Sequence, residues 1–282
     1  AWDMGQANRE TVEYGSDKYE NSLISWTGRV TYAYKDRYLL TATARYDGSS
    51  RFGENNKWGF FPSIGLAWRA SEEKFLAGNK VITNLKVRGS FGVTGNQEIG
   101  NYKSLAQLKV DNYIYNDTEI QGFYETIGNP DLKWERANQF DIGIDLSLWN
   151  RIHVTADYYH RKTSDLLYNV PIPSTSGFSS MLSNVGSVLN KGWELSITGN
   201  IIDLNDLKID ATVNLSRNTN KIKELYNDVQ SITLKSGLGL SSYLKVGESL
   251  NSRYALLADG IIRTEEQLAA YRKIEATAKM GD

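Results

Sequence analysis

Three aspartates, Asp141, Asp145 and Asp157, are the residues whose type and spacing could support chemistry. Two carboxylates on adjacent strands can serve as general acid and general base when their surroundings keep one protonated and the other ionised. Here the aspartates alternate with apolar side chains, as polar residues do in the wall of a water-filled lumen. We therefore expect solvated wall residues that pair with arginines elsewhere on the wall. The candidate partners are Arg45, Arg69 and Arg161.

Other groups that could act as ligands or nucleophiles are few. The two histidines, His153 and His160, have no partner at metal-ligand spacing, which favours a lumen or rim position for both. The glycine-rich segment DGSSRFG, residues 47–53, lacks the strand–loop–helix setting and the G-K-[ST] ending of a phosphate loop. The chain has no cysteine, which excludes disulfides and thiolate metal sites. We predict no catalytic residue, no cofactor and no metal ligand.

The overall composition excludes several partner classes. The chain of 282 residues has 32 Lys and Arg against 33 Asp and Glu, a formal net charge of -1. That balance provides no electrostatic attraction to nucleic acid, and we predict no nucleic-acid partner. The sequence contains no run of 18 apolar residues, so it predicts no transmembrane helix.

Strict alternation of apolar and polar side chains is the dominant pattern of the chain, and it predicts antiparallel strands. The clearest run places Phe140, Ile142, Ile144, Leu146 and Leu148 on one face. At about 3.3 Å per residue and a tilt near 40°, these nine residues span roughly 23 Å, close to the apolar band of a membrane barrel. Eight such runs are predicted, at residues 25–34, 38–47, 63–69, 85–93, 134–148, 152–159, 193–198 and 207–217.

The connections between these strands differ greatly in length. Short links follow the first, fifth and seventh strands, and a medium link covers 70–84. Long connections cover 48–59, 95–133, 163–190 and the chain from 218 onward. If the strands alternate in direction, the shorter links lie at one end and the long loops at the other, which is typical of transmembrane β-barrels with long extracellular loops.

Aromatic residues gather at both ends of the predicted strands, where amphipathic rings favour the membrane–water interface. Tyr34, Tyr38, Trp68 and Trp149 form the predicted girdle at the short-link end, and Tyr46, Trp58, Phe60 and Trp134 the one at the long-loop end. Alternation alone is equally compatible with a soluble β-sandwich that binds a ligand. The loop asymmetry and the paired girdles favour the all-β transmembrane barrel.

Several segments together resemble the SusC/RagA family of TonB-linked outer-membrane transporters, in order and with the family's spacing from about residue 25 to the end. They are YKDRYLLTATARYDGSSRFGENNKWGFFPSIGLAWRASEEKFL, LKVRGSFGVTGNQEIGNY, NPDLKWERANQFDIGID, NVGSVLNKGWELSI and VGESLNSRYALLADGIIRTEEQLAAY. The last resembles the family's late loop, within which Thr264 and Gln267 predict a capping box that opens a short helix over 264–276.

The resemblance implies a barrel of about 22 strands with a plugged lumen, to which residues 1–282 contribute about eight strands of one domain. The plug, the early strands and the final strands are expected to lie outside the chain. It also implies a bacterial outer-membrane location, a SusD-like surface lipoprotein as partner, and energy supplied by the TonB complex through the plug.

The implied substrates are oligosaccharides, with peptides as the alternative. A barrel adhesin or enzyme would use the same wall, but the sequence offers no convincing Ser-His pair. The candidate lumen-lining residues are Arg45, Asp47, Arg69, Asp141, Asp145, Asp157, Tyr159 and Glu194.

Overall fold

A computed structural model describes residues 18–115, 118–178, 180–204, 206–235, 241–250, 252–254, 260–275 and 277–280. Almost all of its regular structure is antiparallel β-strand, as the alternation predicts. The strands are β1 (Leu23–Tyr34), β2 (Tyr38–Ser49), β3 (Trp58–Arg69), β4 (Ile82–Asn96), β5 (Gln107–Tyr115), β6 (Thr118–Thr126), β7 (Glu135–Leu148), β8 (Ile152–Ser164), β9 (Leu167–Pro171), β10 (Ser180–Asn184), β11 (Ser187–Asp203), β12 (Lys208–Glu224), β13 (Ser231–Lys235), β14 (Ser241–Lys245) and β15 (Ser252–Tyr254).

The eight long strands form one antiparallel sheet in the order β1-β2-β3-β4-β7-β8-β11-β12. Neighbours in the sheet follow one another along the chain, apart from two inserted hairpins, β5–β6 and β9–β10. Among the described residues β1 and β12 occupy opposite edges and do not pair, so the sheet is open. The predicted antiparallel wall of eight strands is confirmed.

The predicted lengths of strands and loops were wrong in several places. The connection after β2 covers only 50–57, because β3 already begins at Trp58. Trp58, at the end of the predicted 48–59 connection, therefore belongs to a strand rather than a loop. The predicted loops after 95, 163 and 218 contain strands of their own, which the sequence pattern did not reveal.

Two of the short links are tight turns of three residues each. Residues 35–37 join β1 to β2, and residues 149–151 join β7 to β8. The two central residues of the first turn, Lys35 and Asp36, have φ of 51° and 53°, and those of the second, Trp149 and Asn150, have φ of 51°. Positive φ at both central residues is the signature of a type I′ turn, whose twist matches that of the flanking strands. Each turn is closed by a backbone hydrogen bond to the last residue of the preceding strand. The Arg37 amide donates to the Tyr34 carbonyl at 3.0 Å, and the Arg151 amide donates to the Leu148 carbonyl at 2.9 Å.

Alternation gives the sheet an apolar face and a polar face. On the apolar face, large side chains such as Ile144, Val213 and Leu215 remain 44–54% exposed. A continuous exposed apolar surface of this kind marks contact with a membrane or another protein. Near the long-loop end of that face, Trp26 stacks on Trp58 with ring centroids 5.4 Å apart, and Tyr46 stacks on Trp58 at 5.0 Å. Tyr46 and Trp58 belong to the girdle predicted at this end, whereas Trp26 was not predicted for it.

Trp134 is not a girdle residue, and that prediction was wrong. Its side chain is 5% exposed and lies between Phe52 and Phe61, with ring centroids 4.9 and 5.2 Å away. Its indole nitrogen donates to the Lys57 carbonyl at 3.0 Å. Together with Val93, Ile99 and Leu132 these rings form a small apolar cluster at the long-loop end. The loops are therefore anchored by a core of their own.

The opposite end of the sheet is fastened by Glu73, which follows β3. Its carboxylate accepts hydrogen bonds from the Tyr38 hydroxyl at 2.7 Å and the Trp68 indole at 3.4 Å, and pairs with Arg37 at 3.2 Å. The hydrogen bond from Tyr38 is the main cause that lowers the pKa of Glu73 below that of an ordinary glutamate. This contact ties the first turn to the link between β3 and β4.

Near the end of the chain α1 (Glu265–Tyr271) begins at Thr264 with the predicted capping box. The Thr264 hydroxyl accepts from the Gln267 amide, and the Gln267 side chain accepts from the Thr264 amide. The helix is shorter than predicted. Within the described ranges, no helix has the length and apolar character needed to span a membrane.

Candidate functional site on the polar face

Four residues in one register row form the centre of the polar face. Arg88 on β4 lies opposite Gly143 on β7, Gly143 lies opposite Asp157 on β8, and Asp157 lies opposite Glu194 on β11. Directly opposed residues in an antiparallel pair have their Cβ atoms about 5 Å apart. The alternation of each strand thus places these side chains on the same surface.

Arg88 reaches across β7 to bind two carboxylates. Its Nη2 lies 2.7 Å from Asp157 Oδ1, and its Nε lies 3.3 Å from Asp145 Oδ2. Lys86 also contacts Asp145, at 3.4 Å. The crossing is possible because residue 143 is a glycine, where an added Cβ would lie 2.8 Å from the Arg88 guanidinium carbon and would collide with Asp157. Gly143 therefore provides the gap that this network occupies.

The predicted arginine partners of the aspartates were wrong. Asp145 and Asp157 pair with β4 rather than with Arg45, Arg69 or Arg161, because the register brings β4 beside β7. Asp141 accepts instead from the hydroxyl of Ser90 at 3.2 Å and the side-chain amide of Gln139 at 2.8 Å.

Two of the predicted site residues form a separate pair. Arg45 binds Asp47 at 3.0 Å near the long-loop end of β2. Asp47 is buried, and its other carboxylate oxygen has no hydrogen-bond partner in the described part of the chain. Arg69 ends β3 at the opposite end of the sheet, where it reaches the Asp36 carbonyl at 3.5 Å. The eight predicted residues therefore divide among three places.

Tyr159 lies directly over a second glycine. An added Cβ on Gly192 would stand 2.7 Å from the Tyr159 hydroxyl oxygen and 2.9 Å from its ring. The ring thus covers the backbone of β11, its neighbour in the sheet. An aromatic ring at this position can offer a π-face to whatever occupies the polar face.

The polar face between β4 and β12 forms an open groove of about 680 Å³. Half of its ten lining side chains combine hydrogen-bond donors with acceptors, and both signs of charge are present. The lining residues are Arg88, Ser90, Gln139, Asp141, Asp157, Tyr159, Arg161, Asn190, Glu194 and Asn218. Such a groove can bind a polar solute through many weak contacts.

The histidines lie apart from this groove. His153 Nδ1 is 2.9 Å from Ser147 Oγ across the second tight turn, and no carboxylate is recorded beside His153 among the described residues. The third member of a Ser-His-acid arrangement is thus missing there. His160 projects from the apolar face at the long-loop rim, opposite Phe140 and Lys191. No group of three or more candidate metal ligands occurs in the described ranges.

Sequence reasoning did not select Arg88, Lys86, Gln139 and Gly143. A signal for the two cations was present, since LKVRGSFGV alternates and places Lys86 and Arg88 on the polar side. What the sequence lacks is the register between β4 and β7, which decides which carboxylate each cation meets.

The chain matches the family described as TonB dependent receptor-like, beta-barrel, over residues 5–266. It is 42% identical over 258 residues to TonB-dependent receptor P39 of Formosa agariphila, covering 90% of this chain and 24% of that protein. It is 39% identical over 224 residues to TonB-dependent receptor SusC of Bacteroides thetaiotaomicron, covering 77% of this chain and 22% of SusC. The chain therefore spans about a quarter of the length of the curated relatives it matches.

Solved structures agree with these relatives. The RagAB peptide transporter superposes with a TM-score of 0.72 at 33% identity, over 80% of this chain and 25% of that one. The RagAB peptide importer in its closed-closed state gives the same TM-score at 30% identity, over 87% of this chain and 27% of that one. The open antiparallel wall, its two faces and these matches lead to one conclusion: the chain belongs to the TonB-dependent receptor β-barrel family of the bacterial outer membrane, and is of the SusC and RagA type.

Proposed function

We propose that this chain forms part of the barrel wall of a TonB-dependent importer that takes up an oligosaccharide across the outer membrane. The polar face would line the lumen, and the apolar face would contact the lipid. A SusD-like surface lipoprotein would cap the long-loop end, and the TonB complex would supply energy through a plug domain. The observation that carries the proposal is the groove with Tyr159 held over Gly192.

The composition of the groove suits a neutral polyhydroxylated solute. Each sugar hydroxyl both donates and accepts, and the groove offers carboxylate acceptors such as Asp141 and amide groups such as Gln139 and Asn190. Much of the local charge is already neutralised, because Arg88 is bound by Asp145 and Asp157. An uncharged ligand would therefore not need to break these ion pairs.

A peptide substrate is the second candidate, favoured by the superposition on the RagAB peptide transporter. A peptide carries a terminal carboxylate, which needs a cation that is not already paired. Arg161 meets that need, since it lines the groove and makes no ion pair with any residue that the structure describes. The two substrates thus depend on different side chains of the same groove.

The test uses the full-length transporter with its surface lipoprotein, in the bacterium that encodes them. Uptake of fluorescent oligosaccharides and oligopeptides is measured in the wild type, in Tyr159→Ala and in Arg161→Gln. Oligosaccharide import predicts a loss of about tenfold in Tyr159→Ala, the scale of one aromatic contact, and much less in Tyr159→Phe. A loss confined to peptide uptake in Arg161→Gln would establish the second candidate. Uptake that persists after removal of TonB would contradict active import altogether.

A further inference from the structure

A group of cations lies on the apolar face, where charged side chains are otherwise scarce. Lys162 on β8, Lys191 on β11, and Arg217 and Lys221 on β12 share that face with the aliphatic residues below them. All four are exposed. We call these four residues the outer basic patch.

The register places the members of the patch close to one another. Lys191 lies opposite Thr219, which stands between Arg217 and Lys221 along β12. Leu189 on β11 lies opposite Lys162 on β8 and opposite Lys221 on β12, the two strands that flank β11. Opposed Cβ atoms are about 5 Å apart and diagonal neighbours 7–8 Å, so the four side chains can reach a common ligand.

The patch has fewer carboxylates beside it than the cations of the polar face have. On the polar face Arg88 binds two aspartates and Arg45 binds Asp47. In the described part of the chain the only acid recorded beside the patch is Glu224, 3.9 Å from Lys162. Like charges held side by side on a sheet repel one another. An anionic ligand would remove that repulsion.

The position of the patch indicates what the anion belongs to. Immediately toward the middle of the sheet lie Trp193, opposite Arg217, and then Leu195, opposite Leu215. Trp193 and Leu215 are 44% and 51% exposed. A free anion would need only the cations, whereas a lipid would use the cations for its headgroup and the apolar surface for its chains. The patch stands on the long-loop half of the strands, which is the outer-leaflet side of a transmembrane barrel.

We infer that the outer basic patch binds the phosphate groups of a phosphorylated lipid in the outer leaflet. Arg217 can hold a phosphate with two parallel hydrogen bonds, and the lysines act as point charges beside it. Such a lipid would fill the seam between the aromatic band and the long loops on β8, β11 and β12. The site lies on the outside of the barrel wall and is independent of the substrate groove.

The test measures lipid retention by the purified full-length transporter using native mass spectrometry. The probes are diphosphoryl lipid A, its monophosphoryl form and phosphatidylethanolamine. The test variant is Lys191→Gln/Arg217→Gln/Lys221→Gln. The matched control removes three exposed cations near the short-link end, Lys80→Gln/Arg151→Gln/Lys208→Gln. Resistance of the folded barrel to unfolding in cold detergent, seen as a gel-mobility shift, verifies that each variant is folded.

Each cation near an anionic surface contributes about fivefold, so the test variant should bind diphosphoryl lipid A on the order of 100-fold more weakly. The monophosphoryl form should lose less, and the control should stay within about twofold of wild type. Equal retention by test variant and control would overturn the inference. Displacement of the lipid by millimolar inorganic phosphate would overturn it too, by showing a free-anion site. If the triple variant does not fold, Arg217→Gln is compared with Arg217→Lys, and equal retention by these two refutes the bidentate contact.

Discussion

Replacement of Ile144 by arginine tests the assignment of the two faces most directly. Ile144 is the central member of the apolar run from Phe140 to Leu148 and is 44% exposed. At about 3.3 Å per residue and a tilt near 40°, it lies roughly 10 Å from either end of that run. Its neighbours across the sheet, Val87 and Ala156, are apolar as well.

The expected cost follows from that depth. An arginine on the lipid face of a barrel at the bilayer midplane costs about 2–4 kcal/mol, and the cost falls toward zero near the interfaces. That range corresponds to a folding equilibrium constant lowered about 30- to 700-fold. The Ile144 side chain has no carboxylate beside it that could pair with the new charge, since the acids of β7 and β8 point to the opposite face.

Thr155→Arg is the matched control. Thr155 adjoins Ala156 in the chain but lies on the polar face opposite Asp145, whose carboxylate can accept the new cation. Asp145→Arg would be unsuitable, because it removes the ion pairs of Lys86 and Arg88 and adds a third cation beside them.

The assay is urea-dependent folding of the full-length protein into phospholipid vesicles, followed by tryptophan fluorescence and the gel-mobility shift of the folded barrel. Ile144→Arg should shift the transition to lower urea by the stated free energy, while the control shifts it by less than about 1 kcal/mol. Equal destabilisation by the two variants would refute the assignment of faces. A larger loss in the control would reverse it.

Gly143→Ala should cost about 1–3 kcal/mol, because the added Cβ displaces the Arg88 guanidinium. Gly65→Ala, whose Cβ meets nothing nearer than 3.9 Å, is the control, and equal urea midpoints for the two would contradict this account. Glu73→Gln should destabilise the barrel at neutral pH, because the charged carboxylate accepts the Tyr38 hydrogen bond. The difference in stability between this variant and the wild type should shrink as the pH falls through the lowered pKa of the Glu73 carboxyl. A deficit that stays constant into acid would show that this charge is not involved. Trp134→Ala should cost about 3–5 kcal/mol of local stability and speed proteolysis of the long loops, whereas unchanged cleavage would exclude the buried cluster as their anchor.

The sequence predicted the strands of the wall well because a membrane imposes a strict rule on them. Each spanning strand must present apolar side chains to lipid at every second position, and that constraint is visible without knowledge of the neighbours. The inserted hairpins at β5–β6 and β9–β10 obey no such rule, since they lie outside the wall. Their sequences therefore resembled loops.

The polar face was harder to predict for a related reason. Alternation indicated that Asp145, Asp157 and Arg88 all lie on the polar side of their strands, but not which of them meet. Contact depends on the register between strands, which a shift of two residues changes without altering either face. Trp134 shows the same limit from another direction, since its burial depends on loops whose path the sequence pattern does not contain.

The two glycines of the polar face show how the groove can differ while the wall stays the same. Gly143 and Gly192 leave room for one long side chain from a neighbouring strand, Arg88 in the first case and Tyr159 in the second. The shape of the groove floor is therefore set by a few long side chains laid over bare backbone. Exchange of either side chain would alter the shape and polarity of the groove and leave the lipid-facing residues untouched, because the two sets alternate along the same strands. Within this wall, the polar side chains of the groove and the apolar side chains that face lipid can thus be exchanged independently.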